Sequence, residues 1–327
     1  MKRTIILLPF ILLFGIVIFY FWGSSGSLSE SQWNSNIVYH DNYKKSFDTV
    51  EVISFNLGYL SGMTNNLAVD RSKRLFDKNL KGASDLLIDL DVDIIGFQEI
   101  DFGSNRSYFQ NQLDSLAKSS DFPVAYRSVN WDKNYVPFPY WPPSNHFGQL
   151  LSGQAILSKY ELIPVETIVL EKPVNASFLY NAFYLDRLVQ IARVKSGEQE
   201  FILMNVHLEA FDEETRVNHG ELVKALFEKY AAEFPVLLIG DFNSEAVFLN
   251  ASDAMSIIMT ASNIESAITQ ELYDEEGTLT FPSDRPEKMI DYILYNSNRI
   301  EKVDARVVLE AREISDHFPI WMKFTLR

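Results

Sequence analysis

The hydrophobic pattern divides the chain into three stretches. Residues 4–22, TIILLPFILLFGIVIFYFW, form an uncharged run directly after Met1, Lys2 and Arg3. As a helix at about 1.5 Å per residue this run spans roughly 28 Å, close to the hydrocarbon thickness of a bilayer. It is longer than the roughly 7–15 apolar residues of a cleavable signal. It closes on Tyr20, Phe21 and Trp22, side chains suited to a membrane interface. A retained signal-anchor over residues 1–22 is expected in preference to a cleaved signal peptide, although the GSSGSLS that follows would also serve as a cleavage region. Lys2 and Arg3 hold the N-terminus in the cytoplasm, so the rest is expected on the extracytoplasmic side, or secreted if the segment is cut. Residues 23–47 are rich in Ser and Asn and read as a polar linker.

From Thr49 the chain alternates between strand-like and helix-like stretches. TVEVISFN is rich in β-branched residues, residues 71–90 set Phe76, Leu80, Ala83, Leu87 and Leu90 at helical spacing, and VDIIGFQE is a second apolar run. The order then repeats. FILMNVH ends at His207, EETRVNHGELVKALFEKYAAEF is a helix with Leu222, Ala225 and Leu226 on one face, and PVLLIGDFN carries Asp241. Two strand–helix–strand units predict two related halves. Runs such as IIGF and VLLIG are apolar on both faces, so layers are expected to cover them from either side. Nothing resembling a linker interrupts residues 48–327, and a single domain of about 280 residues is expected there.

Composition removes several chemistries. The 327 residues contain no Cys, which excludes disulfide scaffolds, thiol nucleophiles, Cys-ligated zinc and iron–sulfur clusters. The formal charge is −15 from 29 basic and 44 acidic residues. So negative a chain repels polyanions unless cations are gathered locally.

The candidate chemistry lies at the ends of the apolar runs: Ser54-Phe55-Asn56, Gln98-Glu99, Asn205-Val206-His207, Gly240-Asp241-Phe242-Asn243 and Ser315-Asp316-His317. Asp291 lies within a sixth, Met289-Ile290-Asp291-Tyr292-Ile293, where a carboxylate is costly unless paired or bound to a metal. Each group alone has an ordinary structural reading as a cap, a turn or a satisfied core histidine. Together they form an oxygen-rich set with two imidazoles, which favours Mg²⁺, Mn²⁺ or Ca²⁺ over zinc.

SFN, FQE, GQAILSK, NVHL, GDFN, IDYI and SDHFP, in that order, resemble the motifs of the endonuclease/exonuclease/phosphatase superfamily with the deoxyribonuclease-I-like fold. The resemblance covers essentially the whole domain. It implies a four-layer α/β sandwich, two mixed sheets packed face to face with helices outside. It further implies that Glu99 is the principal metal ligand with Asn56 and Asp316 close by. Asp241 and Asn243 would position the phosphate or the attacking water. His317 would be the general base, oriented by Asp291, and His207 would bond a phosphoryl oxygen or assist the leaving group. Arg187 is either a phosphate contact or a surface salt-bridge partner. The implied activity is metal-dependent phosphoester hydrolysis; a monomer is expected.

Substrate is addressed by one segment. WDKNYVPFPYWPPSNHFG (131–148) is broken by four prolines. Trp131, Tyr135, Phe138, Tyr140 and Trp141, if exposed, suit a membrane surface or a lipid tail; the plainer reading is a loop packed on the domain. A phosphodiester in a lipid head group, or a small exported phosphoester, is expected over nucleic acid, since no Lys/Arg cluster offsets the charge. An extracytoplasmic nuclease is the alternative. Asn105, Asn175 and Asn250 begin glycosylation sequons.

Overall fold

A computed structural model describes residues 2–245, 253–269 and 277–327, with side chains from residue 9 onward. The Asn250 sequon lies outside the described residues. The β-branched runs form strands in two sheets. The first holds β1 (Asn34–Val38), β4 (Val124–Val136), β5 (Gly148–Ser158), β3 (Ile94–Asp101), β2 (Val50–Asn56), β13 (Ile320–Leu326) and β12 (Ile300–Val307), in that spatial order. The second holds β10 (Ile264–Ser266), β11 (Asp291–Asn296), β9 (Val236–Asp241), β8 (Gln199–His207), β7 (Leu188–Ser196) and β6 (Glu161–Val169). Each sheet is antiparallel except for one pair, β2 with β3 and β8 with β9. These pairs are bridged by α2 (Lys73–Leu90) and α5 (Glu213–Ala231). The two related halves and the sandwich of mixed sheets are therefore present as expected.

One apolar core fills the space between the sheets and under the helices. Ser72 caps α2 by accepting from Leu75 N–H, and Asp91 ends it in the left-handed region. Phe76, Ala83 and Leu87 are buried, with Leu80 and Leu90 at the margin. The face of α5 differs from expectation. Leu222 is 40% exposed and Ala225 is exposed, while His219, Gly220, Val223, Leu226 and Phe227 pack inward. The cause is α6 (Ala254–Ile258): a Cβ on Gly220 would meet the Ala254 Cα at 2.9 Å, so the glycine turns that face to the core.

Polar side chains cross-link the sheets. Gln98 Nε2 donates to Asn205 Oδ1 at 2.6 Å, Asn205 Nδ2 donates to Gln190 Oε1 at 3.1 Å, and Gln154 Nε2 donates to the Asn205 carbonyl at 3.0 Å. All four amides are buried. These bonds offset much of the cost of burying the amides, although Gln98 Oε1 and Gln154 Oε1 are left without a partner.

The N-terminal run is one α-helix, α1 (Lys2–Ser24). Among the described residues no helix is long and apolar enough to cross a membrane; the side chains of residues 1–8 lie outside that set. Within residues 23–47, read from composition as a linker, β1 pairs with β4 from Asn34 to Val38. The serines before it are fastened too. Asp132 accepts from Ser27 N–H and Leu28 N–H at 2.7–2.9 Å, Lys133 Nζ donates to the Ser24 carbonyl, and Asn134 Nδ2 donates to the Trp22 carbonyl. The segment is ordered because β4 offers it an open edge.

Residues 131–148 also differ from a free loop. Trp131 lies in β4, buried at 6%, and its Nε1–H donates to the Phe183 carbonyl at 2.8 Å. It joins Tyr59, Val136, Phe147, Leu150 and Leu185 in a second apolar cluster. Tyr140 and Trp141 do project outward, at 76% and 78% exposure.

Candidate active site

Strand register collects the polar groups at one end of the sandwich. In the second sheet His207 closes β8 beside Asp241 of β9, and Asp241 stands opposite Asp291, the first residue of β11. In the first sheet Asn56 pairs with Gln98. Ile320 pairs with Ser54, which brings Asp316 and His317 to the same end just before β13. They precede their strand because β13 runs antiparallel to β2.

Glu99 reaches the cleft through a bulge. One extra residue of β3 sits between Phe97 and Ile100 opposite β5, and Glu99 takes φ 50°. Such a conformation costs a non-glycine residue on the order of 1–3 kcal/mol and re-aims a side chain off the strand alternation. Glu99 Oε2 accepts from Asn65 Nδ2 at 3.0 Å, and the same amide donates to Asp316 at 3.2 Å. Asn65 thus holds the two carboxylates together. A Cβ on Gly58, at φ +49°, would come 2.5 Å from Asp316 Oδ1, so only glycine fits there.

The His317 ring is fixed by its Nδ1, 2.9 Å from Asp291 Oδ2, and its Nε2 lies 3.9 Å from Asp241 Oδ2. Burial alone would lower this imidazole's pKa, but the Asp291 and Asp241 carboxylates outweigh burial and lift it well above the usual value. Asp241 accepts from Asn56 Nδ2 at 2.8 Å and from Asn243 N–H at 2.9 Å. Burial raises it to about 7, with His317 opposing the rise and Asp291 adding to it. Asp316 is raised to about 6, again chiefly by burial, with His317 opposing and Glu99 assisting.

His207 contacts the Arg187 guanidinium through Nε2. Arginine can only donate, so this nitrogen accepts and the ring is neutral. Burial, then Arg187 and His317, hold its pKa well below the usual value. The 3.4 Å approach of Asp241 Oδ2 to the same nitrogen is accordingly not an ion pair. Arg187 is 4% exposed, backed by Glu209 at 3.8 Å and by the Tyr184 hydroxyl at 3.4 Å. A surface salt bridge is excluded for it.

One cleft of about 1280 Å³ contains Glu99, Arg187, His207, Asp241, Asn243, Asp316 and His317 among its walls. Asn56 and Asp291 stand behind Asp241 and His317. Both ends of the Asn56 amide are held by protein, Oδ1 by Gly58 N–H and Nδ2 by Asp241. Asn243, at φ 49°, spends its side-chain amide on the Leu208 carbonyl. Sequence reasoning missed Asn65, which lies in a loop with no apolar run to mark it. It also missed Tyr59, whose buried ring stacks 3.3 Å below the Arg106 guanidinium, itself paired with Asp101 at 2.8 Å.

A divalent cation fits the Glu99–Asp316 pair, whose carboxylates Asn65 holds together and which offers the hard oxygens such an ion takes. Asp241, Asp291 and His317 also place ligand atoms within 4.8 Å of one another, and Asp291 Oδ1 is buried with no hydrogen-bond partner.

The chain matches the Endonuclease/Exonuclease/phosphatase family over residues 53–317. Among solved structures it resembles an endonuclease/exonuclease/phosphatase family protein from Bacteroides thetaiotaomicron, at 17% identity and TM-score 0.59, covering 87% of this chain and 100% of that one. It also resembles the mannosyl-6-phosphatase of Bacteroides thetaiotaomicron, at 18% identity and TM-score 0.58 over 85% and 99%. D. rerio TDP2 complexed with a single-strand DNA product matches at 14% identity and TM-score 0.57, over 85% and 99%. A UPF0294 protein of Vibrio cholerae serotype O1 is 25% identical over 131 residues, 40% of this chain and 42% of that protein's length.

Proposed function

Because the chain belongs to the endonuclease/exonuclease/phosphatase family, we propose that it is a divalent-metal-dependent phosphoesterase in which His317 activates the attacking water. A phosphodiester is the favoured bond, in a lipid head group or a small exported phosphoester. The observation that carries this reading is the buried Asp291–His317 pair, 2.9 Å apart, whose other ring nitrogen lies 3.9 Å from Asp241 at the floor of the cleft.

The roles follow from the geometry. Asp291 fixes the imidazole so that Nε2 is the atom that takes a proton from water. The surrounding carboxylates favour the protonated ring, so the base form at neutral pH requires positive charge nearby. Mg²⁺, or Mn²⁺ or Ca²⁺, held by Glu99 and Asp316 would supply that charge and act as a Lewis acid on a phosphoryl oxygen. Arg187 contributes a fixed cation for a non-bridging oxygen, and the neutral His207 beside it accepts a hydrogen bond. Asn56 and Asn243 hold Asp241 in place.

The same reading puts α1 in a membrane with the domain on its extracytoplasmic side. Phe10, Phe14 and Phe21 are 66–67% exposed, an apolar surface that lipid would cover. Nucleic acid is disfavoured by the charge of −15.

The test is turnover of bis-p-nitrophenyl phosphate and p-nitrophenyl phosphate by the full chain with Mg²⁺, Mn²⁺ or Ca²⁺. Hydrolysis that EDTA abolishes is expected; none with any of the three cations refutes the reading. A panel of sphingomyelin, phosphatidyl lipids, inositol phosphates, DNA and RNA then ranks substrates, and rapid DNA cleavage without lipid turnover would favour the nuclease.

A further inference from the structure

The cleft does not end at its catalytic floor. It is one continuous space that runs from Asp316 and His317 up to the last turns of α1, where Ile16, Val17, Tyr20 and Phe21 form part of its wall. Beside them stand Phe178 and Leu179 of α4 (Phe178–Phe183). Its volume of about 1280 Å³ exceeds the roughly 300–1,000 Å³ of a site for a drug-sized ligand. Polarity is divided along its length. Arg187, the carboxylates and the imidazoles lie at the bottom, and aliphatic and aromatic side chains line the end nearest α1.

The placement of α1 is built in. Tyr20 packs against Phe178 and Phe183 with centroids 5.9 Å away in each case, and Phe19 lies 5.7 Å from Tyr135. The Asp132 carboxylate then holds Ser27 and Leu28, and a Cβ on Gly26 would collide with it. Gly23 brings the chain against the Tyr135 carbonyl, where a Cβ would sit at 3.2 Å. A freely swinging tether would need none of these contacts.

We propose that the C-terminal turns of α1 are a wall of the substrate cleft, and that the cleft takes an amphiphilic phosphoester. Its apolar chain lies against Val17, Tyr20, Phe178 and Leu179, and its phosphoester reaches Arg187 and His317. This inference rests on the phosphoesterase reading above and adds the part of the substrate that the chemistry does not touch. With α1 in a bilayer, an apolar chain enters the cleft from beside the helix without crossing water.

The experiment compares methyl 4-nitrophenyl phosphate with decyl 4-nitrophenyl phosphate, using the full chain in lipid nanodiscs. Partition into the bilayer favours the decyl ester in every variant, so the informative quantity is the change in the decyl-to-methyl ratio of kcat/KM. Phe178→Ala with Leu179→Ala should lower that ratio at least about 10-fold, the worth of two buried methylenes at about fourfold each. Phe178 and Leu179 are 69% and 45% exposed, so the variant retains its core. Asp132→Ala, at a residue that does not line the cleft, should lower the ratio similarly while the methyl ester is turned over as before, and Asp132→Asn should retain more of the preference. Ratios equal to wild type in both the double variant and Asp132→Ala overturn the proposal. Tryptophan fluorescence titrated with decylphosphonate and methylphosphonate reads the wall without turnover. Chain-length-dependent binding without hydrolysis would refute the phosphoesterase reading alone; hydrolysis without chain-length discrimination would refute the wall.

Discussion

Asp241 makes the stability of the cation-free protein depend on pH in an unusual direction. Its carboxyl titrates at about 7 when folded, against about 3.9 in an unfolded chain. A raised folded value means that the native state keeps its proton longer than the unfolded state. The associated stability is present below about pH 4 and is lost as pH rises through about 7, a total of about 4 kcal/mol. Asp316, raised to about 6, and His317 act in the same sense. His207, lowered, acts in the opposite one, losing stability as pH falls below its unfolded value near 6.5. About 2.5 kcal/mol of that loss falls between pH 5 and 8, and at about 2–4 °C per kcal/mol for a domain of this size Asp241 alone moves the melting temperature by about 5–10 °C over that range. The assay is thermal melting of EDTA-treated protein from pH 5 to 8, wild type against Asp241→Asn. Asparagine cannot ionise, and its amide faces the Asn56 amide, so the variant should start lower and fall less. Comparing slopes removes the His207 contribution common to both. Mg²⁺ should raise the wild-type melting temperature far more at pH 8 than at pH 5. Parallel wild-type and variant curves would refute the reasoning.

Three further outcomes are expected. His317→Ala should lower kcat at least about 10²-fold, Asp291→Asn should reproduce much of that loss, and the double variant should be no worse than the worse single; additive losses in steady-state kinetics would assign Asp291 another task. Glu99→Gln keeps the side-chain shape but weakens a hard-cation site, so calorimetry should show lost Mg²⁺ affinity and most turnover should vanish while the melting temperature of the EDTA-treated protein holds. Trp131→Ala removes a buried ring and leaves the Phe183 carbonyl unpaired, which should cost about 3–5 kcal/mol and appear as a lower melting temperature with equal activity loss on vesicles and on a soluble diester.

Much of the site was legible because most of its polar residues stand where apolar strands emerge, whereas the buried amides of Gln98, Gln154, Gln190 and Asn205 lie within strands and bond across the sheets. Asn56, His207 and Asp241 stand at strand ends, Glu99 at the bulge near the end of β3, and Asp291 begins a strand whose interior, Tyr292 to Tyr295, is buried. Parallel pairing within the two related halves that the repeated strand–helix–strand pattern predicted then brings Asn56 beside Gln98 and His207 beside Asp241. Asn65 was not legible, since its partners Glu99 and Asp316 are 34 and 251 residues away. The strand β1 was hidden by its Ser- and Asn-rich composition, because an edge strand of five residues needs backbone pairing more than side-chain burial. Trp131 misled in the reverse direction: prolines after it marked a loop, but the strand continues to Val136 before the first of them.

The amides of Gln98, Gln154, Gln190 and Asn205 set a tolerance for the whole catalytic geometry. Glu99 and Asp316 come from one sheet, and His207, Asp241 and Asp291 from the other. Aliphatic side chains alone would let two such sheets glide over each other, because dispersion has no preferred direction. Hydrogen bonds do, and one residue of slip amounts to about 3.3 Å. A misplacement of about 1 Å can already cost 10²-fold in rate. The cross-bolt behaves like a dowel pin between two machined plates, and the accuracy of the distance from His317 to its reaction partners is inherited from groups that never meet the substrate.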